Sequence, residues 1–291
     1  MNPGEARIVL TGAAGGIGRE AAAAFIAAGA SVMLVGRSAA HLSALSRSIQ
    51  ADAVGSAGRI AWQVADLGQD EAVEELVAVA VQWRCNVLVH AAGVPCFGAL
   101  ETVRAETMRR VLDINLLAPM RLTQALLPHL RAQARAQVIC LGSALGRIGL
   151  PGFSIYSASK FGLRGFAEAL RRELSGTGVR VQYVGPRSTR TSFNDAAVEA
   201  YNAATRTAMD SPRRVAETLL RSLHDEAAER FIGFPERLAV RINGAVPTLL
   251  DGSFDKHRRS VPLPSPDTAP AAQRVERAGV SASIDPSGAP R

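Results

Sequence analysis

Short apolar runs alternate with longer amphipathic segments along most of the chain. The runs are rich in β-branched residues and end at glycine or polar positions, which is typical of strands buried on both faces. They predict seven strands, the last of them weak, at residues 7–11, 31–36, 59–64, 87–91, 138–143, 180–185 and 230–234. The amphipathic segments predict helices at residues 17–28, 39–51, 70–83, 105–134, 155–175 and 212–224.

The regular exchange of strand and helix predicts the fold class. A strand followed by a helix and another strand forms a right-handed crossover, and successive crossovers build a parallel sheet covered by helices on both faces. We therefore predict a doubly wound, Rossmann-type α/β sheet of about seven strands, folded as a single domain over residues 5–235. Neither a linker nor an internal repeat interrupts this range.

Three segments depart from the alternation. Residues 186–211 carry no strand pattern, and so long a connection inside a compact domain is usually functional, which predicts a lid. Residues 236–259 form an amphipathic C-terminal segment that either packs on its own domain or a partner subunit, or docks on a membrane surface. Residues 260–291 are rich in proline, alanine and serine and predict a disordered tail.

Composition narrows the class of protein. With 47% hydrophobic and 20% charged residues, the chain is typical of a soluble globular protein with a real core. No apolar run is long enough to span a membrane, and no N-terminal signal peptide is visible. Cys85, Cys96 and Cys140 lack the spacing of a metal site or a disulfide framework, which predicts no metal and a reducing, cytoplasmic location. Cys96 is expected near the active site as a small hydrophobic residue.

The formal net charge of +7 raises the question of a nucleic-acid partner. The basic residues are nearly all arginine and are scattered, with no basic run interleaved with aromatic residues. A surface that follows nucleic acid needs such a run, so we predict no nucleic-acid partner.

Lys160 and Lys256 are the only lysines. A lysine kept at position 160 in so arginine-rich a chain indicates a site where a guanidinium would not serve.

A glycine-rich sequence, TGAAGGIG at residues 11–18, follows the first predicted strand and opens a helix. Gly12 permits a tight turn, Gly16 lets the backbone approach a pyrophosphate, and Gly18 lets the helix pack closely on the strand. The helix N-terminus at Ile17 offers free N–H groups that favour phosphate. The pattern therefore predicts a dinucleotide site; the alternative is a glycine-rich turn that binds nothing.

The end of the second predicted strand, LVGR at residues 34–37, indicates which dinucleotide binds. An NAD site places an acidic residue near this point for the ribose hydroxyls, and none is present. Arg37 is instead placed to pair with a 2′-phosphate, which predicts NADP(H). Asp66 and Leu67 follow the third strand and are expected beside the adenine, although Asp66 also suits an ordinary loop or helix cap.

Three residues carry candidate proton-transfer chemistry: Ser143, Tyr156 and Lys160. Tyr156 and Lys160 are four residues apart and share one helical face. A free tyrosine has a pKa of about 10 and is a poor acid or base at neutral pH. A neighbouring ammonium, together with the charge of an oxidised nicotinamide, is expected to lower that pKa. The Ser143 hydroxyl is placed to hold the substrate oxygen.

The glycine sequence at 11–18 together with Ser143, Tyr156 and Lys160 resembles the single-domain branch of the short-chain dehydrogenase/reductase family, over residues 5–235. The resemblance implies that Asn115 is a fourth catalytic residue, holding a water that links the lysine to bulk solvent. It also implies a homodimer or homotetramer, joined through the helices at 105–134 and 155–175. Further cofactor contacts are implied at Ala92, Gly93, Pro186 and Thr191.

Two residues differ from the family pattern. His90 stands where the family usually has asparagine, in a stretch that stabilises the centre of the sheet. Histidine also donates and accepts hydrogen bonds, so we expect this change to be tolerated. Arg187 follows Pro186 where the family usually has glycine, which predicts a stiffer and more basic start to the lid.

These inferences predict an oxidoreductase that transfers a hydride between NADPH and a carbonyl or secondary alcohol. The apolar residues of the loop at 144–153 favour a hydrophobic ketone or acyl-derived substrate. One alternative is a regulatory protein that senses NADPH without turnover, but such a protein needs no proton donor. Another is dehydration or epimerisation on the same fold, which the spacing of the glycines disfavours.

Overall fold

A computed structural model describes residues 1–53, 55–233 and 236–262 and confirms the predicted fold class. All strand pairs are parallel, and the strands lie in the order β3-β2-β1-β4-β5-β6-β7. The strands are β1 (Arg7–Thr11), β2 (Ser31–Gly36), β3 (Ile60–Val64), β4 (Val87–His90), β5 (Ala136–Leu141), β6 (Val179–Gly185) and β7 (Glu229–Phe231). The order reverses between β1 and β4, where doubly wound sheets bind their ligands.

Helices cover both faces of the sheet. They are α1 (Gly16–Ala27), α2 (Ala39–Asp52), α3 (Asp70–Gln82), α4 (Ala105–Leu112), α5 (Ala118–Arg131), α6 (Ser154–Glu173), α7 (Ala196–Thr205), α8 (Pro212–Asp225), α9 (Glu236–Ala245) and α10 (Asp255–Arg259). A hydrophobic core lies on each face of the sheet, and successive residues of β1 enter the two cores in turn. Ile8 and Leu10 pack in the core with α1, α2 and α8. Val9 packs in the other core, with α3, α5 and α6. This burial on both faces explains the continuous apolar runs in the sequence.

The predicted helix at residues 105–134 is wrong in one respect, because a π-helical turn, Asp113–Leu117, separates α4 from α5. Pro119 has no N–H to offer the carbonyl oxygen of Asn115, four residues earlier. The backbone widens instead, and the N–H of Ala118 donates to the carbonyl oxygen of Asp113, five residues earlier. The turn therefore lies at a predicted catalytic residue. The last strand ends at residue 231 and not at residue 234 as predicted, and the other predicted elements differ from the observed ones by at most two residues at either end.

The lid, residues 186–211, contains the helix α7, which the sequence did not predict. Its two ends meet, because Thr189 pairs with Asp210 as an isolated parallel bridge.

The amphipathic C-terminal segment forms α9 and α10, in which Val240 is buried against Ala144 and Ile148 of the main domain. Its docking on a partner subunit or a membrane stays a prediction. No helix in the described part of the chain is long and apolar enough to cross a bilayer. Most of the predicted disordered tail, from residue 263 onward, lies outside the described residues.

An exposed face of α6 bears on the predicted self-association. Small residues at 158, 165 and 169 are exposed on this face, and a Cβ atom added at Gly165 would contact nothing within 4 Å. Phe161 and Leu117 are also exposed beside them. A second copy of the chain could approach this face closely, which supports the proposal of a dimer built on α5 and α6.

We expect Gly165→Arg to convert the assembly to monomers while the circular dichroism spectrum stays unchanged. A charged side chain buried in an interface without a partner strongly opposes association. Light scattering measures the mass, and Ala51→Arg, an exposed substitution on α2, is the control. A native protein that is monomeric at micromolar concentration would show that the proposed dimer does not form.

Candidate active site

The glycine turn after β1 has the geometry of an anion site. Gly12 has a φ of +68°, which disfavours any side chain, and a Cβ atom there would lie 2.7 Å from the Cα atom of Ala92. A Cβ atom at Gly18 would overlap the carbonyl oxygen of Gly12. Backbone alone therefore forms this surface, and α1 begins at Gly16 with its N–H groups available to a phosphate.

One cavity of about 1450 Å³ opens along the carboxyl ends of the strands. Its wall contains every predicted cofactor residue: Gly12, Gly16, Ile17, Gly18, Arg37, Asp66, Leu67, Ala92, Gly93, Tyr156, Lys160, Pro186 and Thr191. Ser38 and His41, which the sequence did not single out, line it beside Arg37. The Asp66 carboxylate accepts a hydrogen bond from the backbone N–H of Gly68, so this residue also shapes its own loop. The residues present fit a dinucleotide cofactor.

Ser143 lies two residues beyond the end of β5, at the start of a short 3-10 turn, Ala144–Gly146. Its hydroxyl oxygen accepts a hydrogen bond from the N–H of Leu145 at 3.1 Å. The same hydroxyl lies close enough to the Tyr156 phenol, in the first turn of α6, to lower the pKa of that phenol in part. The two residues therefore meet at one point on the cavity wall.

The pKa of Tyr156 is raised to about 12 by burial, and the hydrogen bond from Ser143 opposes the shift only in part. Lys160 lies with its Nζ atom 5.7 Å from the centre of the Tyr156 ring and donates to the carbonyl oxygen of Leu141 at 3.3 Å. Burial lowers the pKa of Lys160 to about 8. In the protein without cofactor, desolvation of the phenol is the largest influence on this pKa. The lowering expected from Lys160 together with an oxidised nicotinamide stays a prediction. Tyr156 keeps its proton at neutral pH, as a proton donor must.

Asn115 lies behind the cavity wall, on the π-helical turn. Its side-chain oxygen accepts from the N–H of Val94 at 2.8 Å. Its side-chain nitrogen donates to the carbonyl oxygen of Val94 at 3.0 Å and to the hydroxyl of Ser159 at 3.2 Å. The side chain thus joins the loop after β4 to α6, close to the catalytic pair. The water relay that the family resemblance implies for Asn115 stays a prediction.

His90 is buried at the end of β4, and its Nε2 atom lies 2.8 Å from the hydroxyl of Thr123 on α5. Burial lowers the pKa of His90 to about 3. A neutral imidazole bonded to one hydroxyl joins the sheet to a helix and takes no part in the cavity wall. The change from the family's asparagine is therefore accommodated by a hydrogen bond.

We expect His90 to make the protein less stable in mild acid. The pKa of His90 is about 3 in the folded protein and 6.5 in the unfolded chain. Between these two pH values the unfolded chain binds a proton that the folded protein does not, so the free energy of unfolding falls as the pH falls. This difference costs about 1.4 kcal/mol per pH unit, or roughly 2 kcal/mol of unfolding free energy at pH 5. His90→Asn removes that loss, as urea unfolding at pH 7 and pH 5 would show. Equal losses in the two proteins would contradict the assignment.

Arg187, the second departure from the family pattern, forms a paired contact with the buried carboxylate of Asp210. Both nitrogen-to-oxygen distances are 3.1 Å, and Arg214 adds a third contact to the same carboxylate at 3.0 Å. This carboxylate joins the two ends of the lid. The stiffer start of the lid stays a prediction. The basic charge expected of Arg187 faces an internal counter-ion.

Aromatic side chains form the wall opposite the glycine turn. The Phe153 ring lies 6.4 Å from Tyr156 and 5.4 Å from Tyr201 on α7, while the Phe193 ring lies 6.0 Å from Tyr156. The Tyr201 hydroxyl lies 2.7 Å from the Nδ1 atom of His257 on α10. The C-terminal segment therefore helps to enclose the cavity, which the sequence did not indicate. Further residues on this wall are Cys96, Leu145, Ile148, Leu150, Val198, Ala239 and Phe254.

Known proteins share this fold and these motifs. The sequence profile of the short chain dehydrogenase family matches residues 6–202. Dehydrogenase/reductase SDR family member 7B of Xenopus tropicalis is 31% identical over 257 residues, which cover 84% of this chain and 83% of the relative. The Bos taurus protein of the same name is 32% identical over 83% of this chain and 78% of its own length. The chain therefore belongs to the short-chain dehydrogenase/reductase family of oxidoreductases, which confirms the resemblance.

Solved structures agree with this assignment. A short-chain dehydrogenase from Streptomyces avermitilis superimposes with a TM-score of 0.73 at 25% identity, covering 89% of this chain and 100% of that one. A short-chain dehydrogenase from Sphingobium yanoikuyae, solved in complex with NADPH, gives a TM-score of 0.70 at 25% identity, over 84% of this chain and 95% of that one. Among the described residues of this chain, no group of three acidic, histidine or cysteine side chains is arranged to hold a metal ion.

Proposed function

We propose that the protein is an NADPH-dependent reductase of hydrophobic ketones or acyl-derived carbonyl compounds. The observation that carries the proposal is the position of the Tyr156 phenol. The phenol keeps its proton because burial raises its pKa, and it lies near Ser143 on the wall of a cavity that also has aromatic side chains. A bound NADPH supplies the hydride for the carbonyl carbon.

The residues of this chain supply the other requirements of carbonyl reduction. The Ser143 hydroxyl donates to the substrate oxygen and fixes its position beside Tyr156. The Tyr156 phenol transfers its proton to that oxygen as negative charge develops there. Lys160, in its ammonium form, stabilises the phenolate that remains and contributes to holding the nicotinamide ribose. The lid and the C-terminal segment restrict water around these groups.

Two observations support NADPH over NADH. Arg37 lines the cavity at the end of β2, and no acidic side chain occupies residues 34–38, where the ribose hydroxyls would lie. A guanidinium pairs with a phosphate through charge-assisted, often two-pronged hydrogen bonds. The Sphingobium yanoikuyae enzyme, solved with NADPH, shares the fold over most of this chain.

The aromatic wall supports a bulky apolar substrate. Rings at 153, 193 and 201 lie on the cavity wall near Tyr156, and Phe97 packs against two of them, so this part of the wall presents an apolar surface to a substrate. Burial raises the pKa of Cys96, so its thiol also presents an uncharged surface. A sensor without turnover would have no use for the buried proton donor, which disfavours the regulatory alternative.

The decisive experiment follows NADPH absorbance while ketones of increasing apolar size are offered, with aldose sugars of equal carbon number as controls. We expect turnover of aryl and bulky alkyl ketones, slower turnover with NADH, and none of the sugars. Tight NADPH binding without turnover of any carbonyl compound would favour the sensor.

We expect the rate of ketone reduction to be level through neutral pH and to fall as the pH rises through about 8. That value is the pKa of Lys160, and loss of its proton removes the positive charge that the phenolate needs. The fall should be roughly tenfold per pH unit, as for loss of a single proton. Lys160→Arg, whose guanidinium stays charged, should be less active and lack the fall. An identical profile in that variant would assign the titration to another group.

A further inference from the structure

A buried phenol, that of Tyr183 on β6, contacts the backbone on both sides of Ser143. Its hydroxyl accepts a hydrogen bond from the N–H of Ser143 at 3.0 Å and donates one to the carbonyl oxygen of the same residue at 2.8 Å. The Tyr183 side chain is not part of the cavity wall, and it is 2% exposed. Both of its hydrogen bonds to the site are therefore made to the backbone of Ser143.

This pair of hydrogen bonds requires a particular backbone conformation. Ser143 has φ −161° and ψ 161°, a nearly fully extended state that turns its own N–H and C=O toward the same side. Only then can one hydroxyl bond to both groups. Burial also raises the pKa of Tyr183 above its ordinary value, so its hydroxyl stays protonated and remains a donor.

The surrounding sequence leaves room for this phenol. A Cβ atom at Gly142 would overlap the Tyr183 ring, and one at Gly146 would overlap its hydroxyl. Residue 142 lies on the same face of the chain as Cys140, the residue that pairs with Tyr183 in the sheet. Glycines on both sides of Ser143 thus provide the volume that the tyrosine fills, and Phe231 packs against its ring with centres 5.9 Å apart.

We propose that Tyr183 is a positioning residue, which holds Ser143 extended so that the serine hydroxyl meets Tyr156 and the substrate oxygen. Without the phenol, the N–H of Ser143 would be buried and unpaired, and the backbone would turn to find another partner. The Ser143 hydroxyl would then leave its place beside Tyr156. This inference rests on the proposed reduction of carbonyl compounds.

The test is a double-mutant cycle of Tyr183→Phe and Ser143→Ala, measured in single turnovers with NADPH and a ketone substrate. Because misplacement by about 1 Å can cost up to roughly 100-fold in rate, we expect Tyr183→Phe alone to lower kcat by about 10- to 100-fold. The KM for NADPH should change less than about threefold. In the Ser143→Ala background the same substitution should have almost no effect, since the group it positions is already gone. Equal losses in both backgrounds, or no loss in either, would overturn the proposal.

A control separates positioning from general stability. Ser222→Ala removes an equally buried hydroxyl on α8, far from the cavity wall, and should lower the melting temperature without changing kcat. If Tyr183→Phe does not fold, Gly142→Ala displaces the phenol while every other group is kept, and the same cycle applies.

A crystal structure of the Tyr183→Phe variant tests the positioning role of Tyr183 without relying on the proposed reaction. If the unmodified protein reduces no ketone, the proposed function has failed. The Tyr183→Phe structure then decides the inference alone. A changed φ or ψ at residue 143 supports it, and an unchanged, extended Ser143 overturns it.

Discussion

Replacing Tyr156 with phenylalanine should reduce kcat by about 100- to 10,000-fold, the range that a positioned proton donor contributes. The phenol lies near Ser143 on the cavity wall, and its pKa of about 12 keeps the proton in place at neutral pH. The affinity for NADPH should change only a few-fold. The glycine turn, Arg37 and the proposed cofactor residues other than Tyr156 all remain in this variant. Steady-state turnover and NADPH titration by fluorescence measure the two effects separately.

Tyr201→Phe is the matched control, because it removes a phenol hydroxyl from the opposite wall of the same cavity. We expect that variant to change KM for the ketone and to leave kcat within a few-fold. Substantial turnover by Tyr156→Phe would exclude the proposed proton transfer.

Replacing Arg37 with aspartate should reverse the preference between NADPH and NADH. Loss of a charge-assisted contact is typically worth about 1.5–3 kcal/mol, or about 10- to 150-fold in affinity for NADPH. The new carboxylate would also repel the 2′-phosphate and accept a hydrogen bond from the ribose of NADH. The measurement is kcat/KM for each cofactor at fixed ionic strength.

Arg47→Asp on α2, the helix that follows Arg37, controls for the change in net charge. Arg47 is exposed and is not part of the cavity wall, so its substitution should leave the preference unchanged. An unmodified enzyme that already prefers NADH would refute the role assigned to Arg37.

The sequence predicted the features that depend on neighbouring residues. The glycine turn at 11–18 follows from local backbone requirements, and the fold class follows from the alternation of apolar runs and amphipathic helices. The spacing of Tyr156 and Lys160 places both on one helical face. These features need no knowledge of distant contacts.

The features that the sequence did not predict depend on residues far apart in the chain. The aromatic wall combines Phe153, Tyr201 and His257, whose approach is decided by how α7 and α10 fold back. The pKa of Tyr156 depends on burial, which a motif does not reveal. The π-helical turn had a local signal in Pro119, but a proline two residues into a helix is also ordinary at a normal helix start.

The enclosure of the cavity by the C-terminal segment has a consequence for how this enzyme can diversify. The glycine turn and Arg37 come from the start of the chain, whereas Phe254 and His257 come from close to the end of the described residues. Mutations in the later segment can alter which molecules are accepted while nucleotide binding stays intact. New substrate specificities can thus arise from mutations in the C-terminal segment, which contains none of the proposed catalytic residues. Directed evolution of this enzyme should begin in that segment.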